Sequence, residues 1–163
     1  MPNWTENKLR ITGPATEQGR FMAQAKVIQK RELPEPEISD PIEAAATKLA
    51  TALNVEAPMK TELSFSAFLP LDPEDSASEK WGTKWDACTV EMHTTKSSVL
   101  YTFETAWSPP GGALRAMAKQ FPALRFSMKY WECGMGFKGH IVYENGKVVK
   151  DVSERYVNGQ RGG

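Results

Sequence analysis

The chain has 163 residues, 40% of them hydrophobic and 25% charged, with Lys+Arg and Asp+Glu equal at 20 each. Those values fit one ordinary soluble globular domain with a real core, and no run approaches the roughly 18 apolar residues of a membrane helix. Two cysteines, Cys88 and Cys133, make no disulfide framework; both lie in apolar stretches and read as buried free thiols. The polar start "MPNWTENKLR" lacks an apolar signal core, so a cytoplasmic location is expected. The even charge total hides a gradient: residues 32–80 hold eleven acidic side chains against three basic, whereas 113–163 hold nine basic against four acidic. Such a field can orient partners.

In chain order, Leu9 and Ile11 alternate with polar residues up to Gly13-Pro14, predicting a first strand. Phe21, Ala25 and Ile28, with Met22, keep helical spacing over roughly 15–30. "ELPEPEISDP" is too rich in proline for a helix interior and reads as a linker. Asp40-Pro41 with Glu43 is a helix-start signal, and Ile42, Ala46, Leu49 and Leu53 then line one face of a helix near 41–54. Leu63, Phe65, Ala67 and Leu69 alternate as a strand. The acidic stretch "DPEDSASEK" reads as a loop.

From 84 onward the period is two. Cys88, Val90 and Met92 form one strand face; Val99, Tyr101, Phe103, Thr105 and Trp107 form the next. "SPPGGALRAMAKQFP" predicts a short helix capped by Ser108, with Leu114, Met117 and Phe121 as its apolar stripe. Leu124, Phe126, Met128 and Tyr130 make another strand. Phe137, Gly139, Ile141 and Tyr143 make one more, and the "ENGK" turn leads to Val148 and Val149. The expected architecture is α+β and ferredoxin-like: an antiparallel sheet with helices on one face, spanning 1–153, interrupted by an inserted acidic and helical excursion at about 32–62 and followed by a flexible tail, 154–163.

"WGTKWDACTVEMH", 81–93, concentrates the conspicuous residues. As a strand it would turn Trp81 and Trp85 to one side and Lys84 and Asp86 to the other. The bulk of tryptophan favours core anchors, with a contact surface or a base-stacking platform as the other readings. Asp86, Glu104 and Glu132 are the acids that a metal-dependent enzyme would have to bring together. Cys88, His93, Cys133 and His140 lack the paired spacing of a zinc site. "GMGFKG", 134–139, lacks the strand–loop–helix setting of a dinucleotide fingerprint and reads as close packing or a bulge. There is no Ser-His-Asp, Cys-His or phosphate-loop pattern.

"MPNW" and "ITGP" within 1–14, "WGTKWDA" at 81–87, "FETAWSPP" at 103–110 and "FPALRFSMKYWECGMGFKG" at 121–139 together resemble the YubB-type family. Its members carry a ferredoxin-like domain and are encoded on bacterial plasmids and phages. The resemblance covers both ends of the chain and most of 81–145. Thr5 departs from it, standing where such proteins commonly carry cysteine. The resemblance implies the ferredoxin-like fold and a mobile-element setting, and brings no activity, cofactor or catalytic residue. Trp4, Trp81, Trp85 and Trp107 are expected as its core signature, alongside Gly82, Asp86, Pro109 and Pro110.

The expected function is therefore that of a non-enzymatic accessory protein without cofactor, acting on a host protein or ribonucleoprotein complex. Its most concrete form is a host-defence inhibitor of anti-CRISPR or anti-restriction type. Expected contact residues are Glu35, Glu37, Asp40, Glu43, Asp72, Glu74, Asp75, Lys84 and Asp86, whose acids suit a basic partner surface. The alternative is a nucleic-acid-binding or processing domain using Trp85, Trp107, Arg115, Lys119, Arg125 and Lys129. No membrane partner is expected.

Overall fold

The central strand β1, Trp4–Thr12, pairs antiparallel with two later strands, and the rest of the domain grows outward from it. In this computed structural model the described residues are 3–29 and 59–156. The chain separates into two units, Met1–Val27 with Thr61–Gly163 and Ile28–Lys60; the large sheet lies in the first. The helix expected near 41–54 and the acids Glu35, Glu37, Asp40 and Glu43 lie outside the described residues.

After β1 come α1 (Ala15–Ala25), β2 (Val27–Gln29), β3 (Met59–Thr61) and a 3-10 turn (Phe65–Ala67). Then follow the short α2 (Ala77–Lys80), β4 (Cys88–Thr94), β5 (Ser98–Ala106), α3 (Gly111–Gln120), β6 (Arg125–Glu132), β7 (Phe137–Glu144) and β8 (Lys147–Arg155). The six-stranded sheet runs β4-β5-β1-β6-β7-β8, antiparallel throughout, and β2 pairs with β3 separately. Strands β4-β5-β1-β6 with α1 and α3 are the split β-α-β ferredoxin-like layout, extended by the β7–β8 hairpin. That hairpin turns at Asn145 (φ 52°) and Gly146 (φ 73°), the two left-handed positions of a two-residue turn.

Alternation builds the core. Leu9 and Ile11 of β1, Val99, Tyr101 and Phe103 of β5, and Phe126, Met128 and Tyr130 of β6 all turn to one side and are buried. Both longer helices cover that side. Phe21 of α1 stacks on Phe68 at 4.9 Å between ring centroids and meets Phe121, Phe126 and Tyr101 edge-on. Such pairs add about 0.5–1.5 kcal/mol each beyond area burial. Leu114 and Met117 bring α3 onto the same core. Among the described residues, neither α1 nor α3 lies on the other side of the sheet.

Several expectations need correction. The first helix stops at Ala25, and Val27–Gln29 is strand. Residues 63–69 form no strand: Phe65 and Phe68 reach the core three apart, the spacing of a 3-10 turn, so the apparent alternation there was coincidental. Residues 77–80 are helical within the acidic loop. Glu154 and Arg155 belong to β8, paired with Lys138 and Phe137, and so are strand rather than tail. Gly134 and Gly136 sit in the turn between β6 and β7, and only Gly139 lies in a strand. Cys133 is exposed in that same turn and Cys88 is partly exposed, so neither is a buried thiol. Among the described residues, no helix is long and apolar enough to cross a membrane.

Candidate functional site on the open sheet face

Residues 81–86 are turns and bends, and the strand begins only at Cys88, so alternation cannot sort Trp81 from Lys84. Gly82 adopts φ 88°, a left-handed conformation that breaks the extended backbone. Trp81 goes inward, 6% exposed: its Nε1 donates to the Leu69 carbonyl at 2.7 Å, and its ring packs edge-on against Phe65. Its carbonyl also accepts the first amides of α3, from Gly112 at 3.0 Å and Ala113 at 3.1 Å. A Cβ on Gly112 would stand 1.9 Å from the Lys80 carbonyl oxygen, so that approach requires glycine. The start of α3 is thereby closed by Trp81. Ser108 does not cap it; its hydroxyl donates to the Gly82 carbonyl at 2.5 Å.

The other three signature tryptophans are not core. Trp4 is 38% exposed, Trp85 42% and Trp107 44%. They gather at one end of the sheet. Trp4 opens β1; Trp85 packs against it at 5.9 Å between ring centroids; the Trp107 amide donates to the Asn3 carbonyl at 2.9 Å. Trp107 leaves β5 at φ 71°, which takes it off the face shared by Val99, Tyr101 and Phe103. Lys84 is exposed, its Nζ 5.9 Å from the centre of the Trp85 ring.

Asp86 is occupied within the fold. It accepts from the Ser64 hydroxyl (2.5 Å) and the Phe65 amide (2.7 Å), tying the 3-10 turn to the entry of β4, and from the Ala87 amide (2.7 Å). Asp75 is likewise bound to Lys80 and to the Asp72 amide, and its carboxyl is held below the ordinary value chiefly by the Lys80 hydrogen bond. Asp72 and Glu74 remain exposed.

Two acids of the enzyme reading, Glu104 and Glu132, are kept apart. Glu104 lies on the open face and accepts from Thr89 at 2.9 Å. Glu132 is buried on the helix side, receiving the amides of Gly134 and Met135. The sheet stands between the two. Among the described residues no three His, Cys, Asp or Glu side chains converge as metal ligands. Cys88 and His93 belong to β4, whereas His140 lies on β7 and Cys133 just before it, with β5, β1 and β6 between.

The basic residues of the nucleic-acid alternative also divide. Arg115 and Lys119 are exposed on α3, while Arg125 and Lys129 project from β6 onto the opposite, open face. Register shows what single-strand reading missed: the open face is polarised. Toward β4, Glu6 stands directly across from Glu104, and Glu91 sits one step along. No ion pair within 4 Å holds any of these three among the described residues. They line a concavity of about 210 Å³ together with Lys8, whose Nζ lies 5.4 Å over the ring of buried Trp131. Toward β8, Lys129, Lys138, His140 and Lys150 share a second concavity.

The family comparison agrees with this architecture. Residues 80–162 match the ferredoxin-like domain in Api92-like protein; that segment supplies β4 to β8, while the central β1 and α1 come from the N-terminal part. The crystal structure of protein api92 from Yersinia pseudotuberculosis aligns over 99% of this chain and 100% of its own, at 12% sequence identity and a TM-score of 0.59. That likeness shows the fold. No curated protein matches the chain. With the matched segment covering more than half of its residues, the chain belongs to the family of ferredoxin-like domains found in Api92-like proteins.

Proposed function

We propose that the domain is a binding module that docks a basic protein surface at the tryptophan end of its open sheet face. The observation that carries this reading is the coincidence of three half-exposed tryptophans with Glu6, Glu91 and Glu104. Tryptophan is the residue most enriched among interface anchors, and an aromatic patch this exposed is unusual unless a partner covers it. Like charges directly across adjacent strands are unfavourable, and a partner's Arg or Lys would relieve the Glu6–Glu104 repulsion. The same glutamates argue against a base-stacking platform there, because a phosphate backbone would be repelled.

Basic, nucleic-acid-handling proteins are the partner class with the matching charge. The sequence resemblance to plasmid- and phage-encoded proteins supports an accessory role in the cytoplasm of a bacterial host, as an inhibitor of a defence complex of CRISPR or restriction type. Asp72, Glu74 and Lys84 are the remaining exposed groups available to such a contact.

Affinity capture from bacterial host lysate tests the reading when two baits are compared. The wild-type chain should retain a nucleic-acid-processing or defence protein that the Trp4→Ala/Trp85→Ala double variant releases. Equal recovery by both baits, or recovery of no protein that handles nucleic acid, would contradict it.

A further inference from the structure

The opposite end of the open face has a different chemistry. His140 of β7 stands directly across from Lys129 of β6, and Val152 of β8 faces it on the other side. Lys138 is two residues away on the same side of β7, and Lys150 reaches the group from β8 across Val142. Ser127 fixes the imidazole, with its hydroxyl 2.8 Å from Nε2. These residues surround a shallow concavity of about 180 Å³ on the sheet face opposite α1 and α3.

The charged groups beside His140 come from its own strand and the two strands that flank it, with Lys8 and Arg10 of β1 one strand further across Lys129 and Ser127. Lys129 and Arg125 come from β6, Lys138 and Glu144 from β7, and Lys147, Lys150 and Glu154 from β8. Of the two acids, Glu144 holds Arg125 at 2.6 Å outside the concavity, whereas Glu154 lines it, 3.8 Å from Lys138 and outnumbered there by three lysines. No acid is paired with Lys129 or Lys150 among the described ion pairs. Burial first, then Lys150, Lys129 and Arg125, hold the His140 imidazole below its ordinary value, so these cations act at one point in space.

We infer that the concavity formed by Lys129, Lys138, His140 and Lys150 is a binding site for a phosphate group. Its volume is below the roughly 300–1,000 Å³ of pockets that enclose whole small molecules, so it takes one anionic group and leaves the rest of the ligand on the open sheet. Strands hold the lysines at fixed separations around His140, and a phosphate oxygen placed there accepts charge-assisted hydrogen bonds from several donors at once. The phosphate can come from a nucleic-acid backbone or from a free phosphate.

The experiment follows the imidazole resonances of the full chain during titration with inorganic phosphate and, separately, with a short oligothymidylate. The chain has only two histidines, and His93 on β4 serves as the internal control. Binding should move His140 and raise its pKa while His93 stays in place. Lys129→Gln/Lys150→Gln should weaken binding by about tenfold or more, since each lost charge-assisted contact is individually strong. Lys119→Gln/Arg115→Gln removes equal charge from the exposed surface of α3, on the opposite side of the sheet, and should change it by less than about twofold if the site is local. A response to oligothymidylate alone assigns the backbone as the source, and a response to inorganic phosphate assigns a free anion. No movement of His140 with either probe would overturn the inference. So would equal losses in the two double variants, which would mean diffuse charge without a site.

Discussion

The two faces of the six-stranded sheet are made by the same strands, yet they do opposite things. On the helix side, Leu9, Ile11, Tyr101, Phe126 and Met128 pack under α1 and α3 with essentially no exposure. On the other side, their immediate neighbours Lys8, Arg10, Thr102, Arg125 and Lys129 point away from both helices. In a ferredoxin-like layout both helices fall on one side, so one set of alternating positions is committed to stability and the other is left for contacts. The lesson is that the residues left free for contacts lie in the gaps of the hydrophobic pattern. The open face is itself divided, with Glu6, Glu91 and Glu104 toward β4 and lysines with His140 toward β8.

The sharpest way to break the comparison uses the two ends of one motif. Trp81→Ala removes a buried ring and its Nε1 hydrogen bond, and should cost about 3–5 kcal/mol in urea unfolding. Trp85→Ala, at a half-exposed position, should cost less than about 1 kcal/mol while abolishing partner capture. Comparable stability losses in the two variants would erase the distinction between core and contact tryptophans.

A smaller effect comes from pH. The folded protein holds His140 neutral below its ordinary value of 6.5, so the unfolded chain takes up that proton first as pH falls. Stability should therefore decline as pH drops through 6.5, over the interval down to the depressed folded value, and His140→Gln should flatten that part of the profile. An unchanged slope in the variant would show that burial and the surrounding cations do not depress the imidazole.

Much of the framework was legible in the sequence because alternation survives wherever a strand has one covered face. Val99, Tyr101 and Phe103, and Phe126, Met128 and Tyr130, were readable as core in this way. Alternation failed where the backbone leaves the extended region. Gly82 and Trp107 adopt left-handed φ, Thr89 does so beside a register shift in β4, and Phe65 and Phe68 follow a 3-10 turn. Those departures explain why Trp81 and Trp85 separate and why Trp107 surfaces. The candidate sites were harder to foresee for another reason. Glu6 meets Glu104, and Lys129 meets His140, only through pairing register, which joins positions far apart in the chain or across a turn. Asp86 misled for the opposite reason: its neighbours in sequence look like a site, while its actual partners, Ser64 and Phe65, lie more than twenty residues earlier.

The most direct measurement is the indole N–H spectrum of the five tryptophans in the presence of a soluble paramagnetic probe. Trp4, Trp85 and Trp107 should be strongly attenuated, whereas Trp81 and Trp131, both buried, should persist. Attenuation of Trp81, or protection of all five indoles, would contradict the division between a closed core and an open tryptophan surface.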